Sequence, residues 1–420
     1  MRNVPVSTVA YLANQFPSPV EPYVVEEIQE LRKRAVHVVL GSARQPAPNL
    51  DGYLQRFAAE TLYLQPLRLG LLFRAAWLCV RRFRLLSGLA RRILFCGRET
   101  PGQRLRTLVH TWLGACYALQ LRGRGVQHIH VHHGYFASWI AMVAAKLSAI
   151  SFSMTLHGSD LLLHPAYLDT KLANCKFCVT VSEFNRQHLL QHYPNIDPVK
   201  IVLRRMGTSV HPETFLPGKA EHPPRQLVML AVGRLHPVKD HAFLVRACRR
   251  LKDKNLPFRC WIAGEGPQRA AVERLIRDLD LQNDITLLGH LCRAQLDSFY
   301  SACDLVVLTS RSEGLPLVLM EAMAHGKLVL APAITGIPEL VIHGKTGFLY
   351  RAKSLDDFVA QVQILSNLRP ALAPIRRAAR QYVLEHFNRQ RNLARFGDVL
   401  LAHLSEATAN PHADSLLQQI

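Results

Sequence analysis

Short continuous apolar runs in this chain alternate with longer stretches in which apolar residues fall three and four positions apart. That is the signature of buried strands followed by amphipathic helices. VAYLA at 9–13 reads as a first strand. Val24, Val25, Ile28 and Leu31 then share one helical face, and AVHVVL at 35–40 reads as a second strand. Further strands are predicted at 128–133 (HIHVHH), 151–156 (SFSMTL), 176–181 and 200–203, with a helix over 136–147. The rhythm stops between 208 and 226, where Pro212, Pro217, Pro223 and Pro224 crowd a stretch with neither period, as in a linker. It resumes with strands at 227–232, 258–263, 285–288, 304–309 and 328–331. The expected class is α/β, with two doubly wound Rossmann-like domains facing across a cleft. The expected boundaries are 1–206, a linker at 207–226, 227–385, and a C-terminal helix and tail at 386–420 returning to the first domain.

The most informative stretch is SRSEGLPLVLMEAMAHG at 310–326. Pro316 is expected at the first helical position, where its missing amide costs nothing. Leu317, Leu319, Met320, Met323 and Ala324 follow at helical spacing, and Gly326 is a stop signal. Glu313 is thus placed in the loop after a strand, and Glu321 inside the helix. The amides of Gly314, Leu315 and Leu317, with the positive helix end, form a predicted anion site. A carboxylate on each side of a phosphate site suits a nucleotide-sugar: one grips sugar hydroxyls, the other a ribose. In isolation, two glutamates eight apart equally describe solvated helix-surface residues.

Charge adds a second theme. The 420 residues carry 51 Lys and Arg against 31 Asp and Glu, a formal charge of +20. Such a balance favours polyanions: nucleic acid, anionic membrane or phosphorylated substrates. Ten arginines (Arg68, Arg74, Arg81, Arg82, Arg84, Arg91, Arg92, Arg98, Arg104, Arg106) lie within 61–110 beside a single acid, Glu99, interleaved with Leu, Phe and Trp77. This basic amphipathic segment is expected to lie on an anionic membrane surface; a pair of ordinary solvated helices is the plainer alternative. No nucleic-acid motif accompanies the charge, so no nucleic-acid partner is expected. Nine scattered cysteines predict reduced, buried thiols rather than a disulfide scaffold, and Cys175–Cys178 is a lone pair without zinc spacing. The first fifteen residues lack a signal-peptide core, and no run is long enough to span a membrane. A cytoplasmic, peripheral location at the inner membrane face is expected.

Arg234 and Lys239, five apart in the loop after the strand at 227–232, suit a diphosphate, although on their own they equally describe surface cations in a chain full of them. The glycine-rich dinucleotide fingerprint is missing from the first loop, so an ordinary NAD fold is not supported. His128, His130 and His132 fall on one strand face, with His133 on the other. Histidines two apart can chelate a metal, yet a strand end bordering a cleft, with histidines as hydrogen-bond donors, accounts for them equally. His157, at the end of the strand 151–156, projects towards the crevice where open α/β sheets bind ligands.

Together these residues resemble the retaining glycosyltransferases of family 4, which have the GT-B fold. The resemblance lies in VGRLHPVKD (232–240), AGEGP (263–267), SRSEGLPLVLMEAMAHGK (310–327) and TGIPELVIHGKTGFLY (335–350). In the first half it lies in FPSPVEPYVVEEI (16–28), HIHVHHG and TLHGSD (155–160), most similar to members that build exopolysaccharides such as colanic acid. It implies that Arg234 and Lys239 bind the donor diphosphate, that Glu313 meets the donor sugar and that Glu321 meets the ribose. It implies phosphate and sugar contacts from Gly314, Leu315, Pro316 and Leu317, and close passage of Gly264 and Gly266 by the nucleotide. His157 would sit by donor sugar and acceptor, with Asp160 supporting it. No metal or other cofactor is implied; the nucleotide-sugar is a co-substrate, and the acceptor is a lipid-linked or oligosaccharide glycan. The sequence departs from the family at Pro19 and Pro22 in the first loop, and at Met206-Gly207 near the linker. The competing functions are a nucleotide-sugar epimerase or phosphorylase of similar shape, or a non-catalytic scaffold that binds polyanions or membrane.

Overall fold

The computed structural model describes residues 7–19, 21–46, 48, 50–209 and 226–408. Most of the predicted linker, 210–225, lies outside them, as do its four prolines. The chain divides into two compact units: residues up to Val181 with Arg186–Arg204 and those from Leu393 onward, and Ser182–Asn185 with Arg205–Asn392.

The first unit holds a seven-stranded parallel sheet. Its strands are β1 (Thr8–Gln15), β2 (His37–Arg44), β3 (Leu62–Tyr63), β4 (His128–His132), β5 (Ser151–Leu156), β6 (Cys178–Thr180) and β7 (Ile201–Leu203). They lie in the order β3-β2-β1-β4-β5-β6-β7. The second unit has six parallel strands: β8 (Leu227–Val232), β9 (Phe258–Ala263), β10 (Ile285–Gly289), β11 (Leu305–Val307), β12 (Leu328–Pro332) and β13 (Phe348–Tyr350). Their order is β10-β9-β8-β11-β12-β13. In each sheet the winding reverses once, between β1 and β4 and between β8 and β11. Chains leave those neighbours in opposite directions, which opens a crevice at their carboxyl ends.

Strands such as LVMLAV in β8 are apolar throughout because helices cover both sheet faces. The second core packs Leu227, Met229 and Ala231 with Phe243, Leu244 and Phe358. On the other sheet face, Leu230, Val306 and Val329 meet Leu319, Met320 and Met323. Each fully buried side chain of this kind stabilises by ~1.5–3 kcal/mol.

The closing helix, Arg389–Thr408, starts three residues later than the predicted boundary at 386 and joins the first unit from Leu393. Phe396, Leu400 and Leu404 pack with Val9, Tyr11, Val38 and Leu40. Arg34 clasps the helix, donating to Asp398 Oδ1 at 2.6 Å and to the carbonyl of Ala394 at 2.8 Å.

The basic segment folds as three helices, Leu69–Arg81, Phe83–Phe95 and Pro101–Leu121. Two of its ten arginines are internal fixtures rather than solvated cations. Arg92 pairs with Glu99 and Asp169 and lies over the Tyr167 ring, and Arg104 donates to the carbonyls of Ile93, Gly97 and Glu99. The side chains of the other eight make no ion pair or hydrogen bond among the described residues. All nine cysteines are free, but Cys96 and Cys292 are exposed rather than buried. The Cys175 thiol is buried and pushed up to about 12, far from reactive.

Candidate functional site

Two polar clusters occupy the two crevices, one in each unit. In the second unit, the loops leaving β8 and β11 are knitted together. Arg311 Nε donates to Asp240 Oδ2 at 2.7 Å, its amide donates to the carbonyl of Val238 at 2.8 Å, and Thr309 Oγ1 donates to the carbonyl of Lys239 at 2.9 Å. Asp240 takes a left-handed backbone (φ 48°) and caps the helix His241–Asp253. This turn folds the Lys239 side chain back across Gly233 and into an ion pair with Glu313. Ser310 Oγ also donates to Glu313 Oε1, at 2.6 Å. Lys239 and Glu313 are therefore brought together although 74 positions separate them.

Arg234 lies in the same loop, exposed, and its guanidinium makes no hydrogen bond or ion pair among the described residues. After Glu313 the chain turns through Gly314 and Leu315, both buried, into the helix Leu317–Ala324. Pro316 is the residue before that helix (ψ 112°) rather than its first turn, so the predicted register shifts by one. The amides of Gly314, Leu315 and Leu317 donate no hydrogen bond among the described residues. Amides left without a partner at a helix start, together with the helix dipole, are the kind of group that can receive an anion.

Gly264 and Gly266 have a structural reason to be glycine that the sequence did not show. A Cβ on Gly264 would lie 2.0 Å from the Gly233 carbonyl oxygen, and one on Gly266 would lie 2.5 Å from that of Leu235. With φ of 145° and 157°, both are glycine because two loops pack backbone to backbone. They shape the loop that carries Arg234. Glu321 is already engaged: Tyr300 donates its hydroxyl to Oε2 at 3.0 Å and Arg293 pairs with Oε1. Sequence reading missed both partners, since neither belongs to a motif.

In the first unit, β4 and β5 are joined by a ladder of side chains. Register sets His128, His130 and His132 opposite Ser151, Ser153 and Thr155. His128 bonds Ser151 and Ser153 at 2.7 Å each, and His130 bonds Ser153 at 2.7 Å and Thr155 at 3.1 Å. His132 instead bonds Glu27 Oε2 through Nε2 at 3.0 Å and His157 Nε2 through Nδ1 at 3.1 Å. Donor atoms of Glu27, His130 and His132 lie within 4.8 Å of one another, close enough for a metal to be considered. Both nitrogens of both histidines already hold hydrogen bonds, which an ion would have to displace.

Asp160 meets His157 through the backbone rather than through the ring. Its buried carboxylate accepts the backbone amides of Gly134, His157 and Gly158 at 2.9, 3.1 and 2.8 Å. It also lies 3.6 Å from His133 Nδ1, while Glu21 Oε1 lies 3.0 Å from His133 Nε2. Burial works against a charged His133, but these two carboxylates outweigh it and raise the imidazole to about 9. Burial alone would push Asp160 up; the His133 imidazolium holds it well below the usual carboxylate range. Burial and the neighbouring His133 charge push His157 the other way, so it stays neutral. Lys171, also buried, donates to the Gly134 carbonyl at 2.6 Å and is lowered by burial to about 7. Glu21, Glu27, Tyr11 and Tyr23 were missed by sequence reading; the carboxylates in EPYVVEEI were the available signal.

Residues 213–382 match the family described as Glycosyl transferases group 1. The chain is 32% identical over 200 residues to the putative colanic acid biosynthesis glycosyltransferase WcaL of Salmonella typhimurium, covering 46% of this chain and 49% of that one. It is 30% identical over 207 residues to the amylovoran biosynthesis glycosyltransferase AmsK of Erwinia amylovora, covering 48% and 50%. The match thus spans about half the length of these curated relatives. Among solved structures, sucrose-phosphate synthase from Thermosynechococcus elongatus superposes with a TM-score of 0.73 at 18% identity, over 95% of this chain and all of that one. Anabaena HepE in complex with UDP and glucose superposes with a TM-score of 0.68 at 17% identity, over 94% and 100%. The two parallel sheets with their helices are accordingly those of the GT-B fold, and the chain carries, over residues 213–382, a glycosyl transferases group 1 domain.

Proposed function

We propose that this chain is a retaining, metal-independent glycosyltransferase. It would move a sugar from a nucleotide diphosphate to a lipid-linked glycan acceptor in exopolysaccharide biosynthesis. The observation that carries the reading is the pairing of Lys239 with Glu313 at the winding reversal of the second sheet, in loops that also carry the Arg234 guanidinium and the amides of Gly314, Leu315 and Leu317, none of which has a hydrogen-bond partner among the described residues. A diphosphate bound there takes Lys239 from Glu313 and receives the amides and Arg234 as donors. Glu313, released, is left to accept sugar hydroxyls. Those donors stabilise charge that grows on the departing diphosphate, where electrostatic help is most effective. For retention, the acceptor hydroxyl approaches the face the diphosphate leaves, and the leaving phosphate takes its proton. HepE, a structural neighbour, was solved with UDP-glucose, and WcaL and AmsK are named for extracellular polysaccharides, which supports the donor and pathway.

The acceptor side of the reading includes docking at the inner face of the cytoplasmic membrane. No described helix is long and apolar enough to cross a membrane. The three helices between 69 and 121 instead expose Phe73 (74%), Trp77 (67%) and Phe95 (79%) among eight unpaired arginines, a combination that suits an anionic bilayer surface.

The test is a thermal-shift panel of UDP-, GDP- and ADP-sugars. A ligand at a hundred times its Kd adds about 2.7 kcal/mol of apparent stability, so one nucleotide class should raise Tm clearly. No shift with any of them overturns the donor site.

A further inference from the structure

The hydrogen bonds around His157 run in one direction. Glu27 Oε2 accepts from the Tyr11 hydroxyl at 3.2 Å and faces His132 Nε2 at 3.0 Å. A carboxylate can only accept, so a neutral His132 carries its proton on Nε2 and offers a lone pair at Nδ1. That lone pair faces His157 Nε2 at 3.1 Å, which must then be the protonated nitrogen of His157. Nδ1 of His157 is left with a lone pair and no partner among the described residues, on a ring that is partly exposed.

The other groups around this ring do not reverse the assignment. His133, 4.5 Å away between ring centroids, is engaged by Glu21 and Asp160. The Asp160 carboxylate meets the His157 backbone amide rather than the imidazole. Tyr23 packs its ring against His157 at 4.8 Å and directs its hydroxyl to His133 Nε2 at 3.2 Å.

We propose that Glu27 and His132 are positioning residues that fix the His157 proton on Nε2, so that Nδ1 accepts a hydrogen bond from a hydroxyl of a bound sugar. A neutral acceptor beside an aromatic ring suits a carbohydrate hydroxyl and repels phosphate oxygens, which need donors. This assignment rests on the glycosyl-transfer reading for its ligand, but not for its tautomer.

Long-range proton–nitrogen NMR on the full chain labelled with 15N-histidine reads the tautomer directly in mildly alkaline buffer. His157 signals are identified by their loss in His157→Asn. The expected spectrum has a pyridine-like, unprotonated Nδ1 and a protonated Nε2. In Glu27→Ala the two tautomers should mix, and kcat/KM with the donor found by the thermal-shift panel should fall about tenfold. Glu27→Gln keeps an acceptor oxygen and should recover most of that loss. A wild-type spectrum with the proton on Nδ1 overturns the proposal, and needs no variant to fold. So does an unchanged tautomer in folded Glu27→Ala. The expected tautomer in a protein stabilised by no nucleotide-sugar keeps the relay and removes the glycosyl-transfer reading; a reversed tautomer in an active enzyme does the opposite.

Discussion

Lys239 and Glu313 hold each other, and both are only partly exposed, at 21% and 12% of their side-chain surface. On the proposed reading the pair is a placeholder, whose cation would be released to the more strongly charged diphosphate. Lys239→Ala should therefore lower sugar transfer by roughly 10²–10³-fold in kcat, the usual effect of removing one donor from a developing charge. Its Tm should stay within a few degrees of wild type, because a partly exposed pair contributes little to stability. Normal turnover in a folded Lys239→Ala protein would remove Lys239 from the site. Gly264→Ala should act in the opposite way. A methyl group 2.0 Å from the Gly233 carbonyl oxygen, at a φ of 145°, cannot be accommodated without moving the loop that presents Arg234. Urea unfolding should register a loss of about 3 kcal/mol or more. A near-neutral result would mean that the loops pack less closely than described.

At the scale of elements, buried neutral histidines on β4 and on the helices Pro101–Leu121 and His241–Asp253 make the fold sensitive to acid. His128 is buried and lowered to about 3 by desolvation, and burial also lowers His110 and His241 to about 4. Each is neutral in the folded chain and takes up a proton near 6.5 when unfolded, so the unfolded state binds more protons below that value. Stability must then fall as pH drops from 6.5 towards 4, and Asp160, held low in the fold, acts in the same direction further down. His133 has the opposite sign: its contribution is complete below 6.5 and is lost as pH rises through about 9. Thermal melts should show Tm falling by roughly 5–10 °C between pH 6.5 and 4. A flat profile over that range would refute neutral burial of these histidines. The strands themselves were readable from sequence. Predicted runs at 151–156, 227–232 and 258–263 coincide with β5, β8 and β9, because parallel strands covered by helices are mostly apolar, and the small Ser and Thr of β5 do not break the run. The predicted runs at 304–309 and 176–181 shorten to Leu305–Val307 and Cys178–Thr180, since apolar residues continue into the crevice loops beyond the last paired position. The edge strands Leu62–Tyr63 and Phe348–Tyr350 are too short to leave a pattern. Among site residues, those at loop positions after strands were legible, whereas Glu27 meets His132 across 105 positions and Arg293 meets Glu321 across 28. Contacts at such separations are made by the sheet order and by helix packing, which no local spacing encodes.

Taken whole, the molecule carries its charge unevenly. Among the described residues, eight arginine side chains without a partner share a segment with exposed Phe73, Trp77, Phe83 and Phe95, while Arg92 and Arg104 tie the same helices to their own termini and to Asp169. The surface is therefore preformed, and the proposed docking on a bilayer would not have to order it first. The protein should float with anionic liposomes, be released by raised salt, and lose binding when Arg81, Arg84 and Arg91 are replaced by glutamate. Equal flotation with neutral lipid at all salt concentrations would argue against an electrostatic contact. The returning helix has a further consequence, for the order in which the chain can be completed during synthesis. Phe396, Leu400 and Leu404 fill the interior beside β1 and β2, yet they are made after the whole of Arg205–Asn392. The half that leaves the ribosome first is thus the half that closes last, with the part of its core that Phe396, Leu400 and Leu404 fill left open while the other half is still being translated. A nascent chain stalled short of residue 393 should be a strong client for chaperones that bind exposed apolar surface.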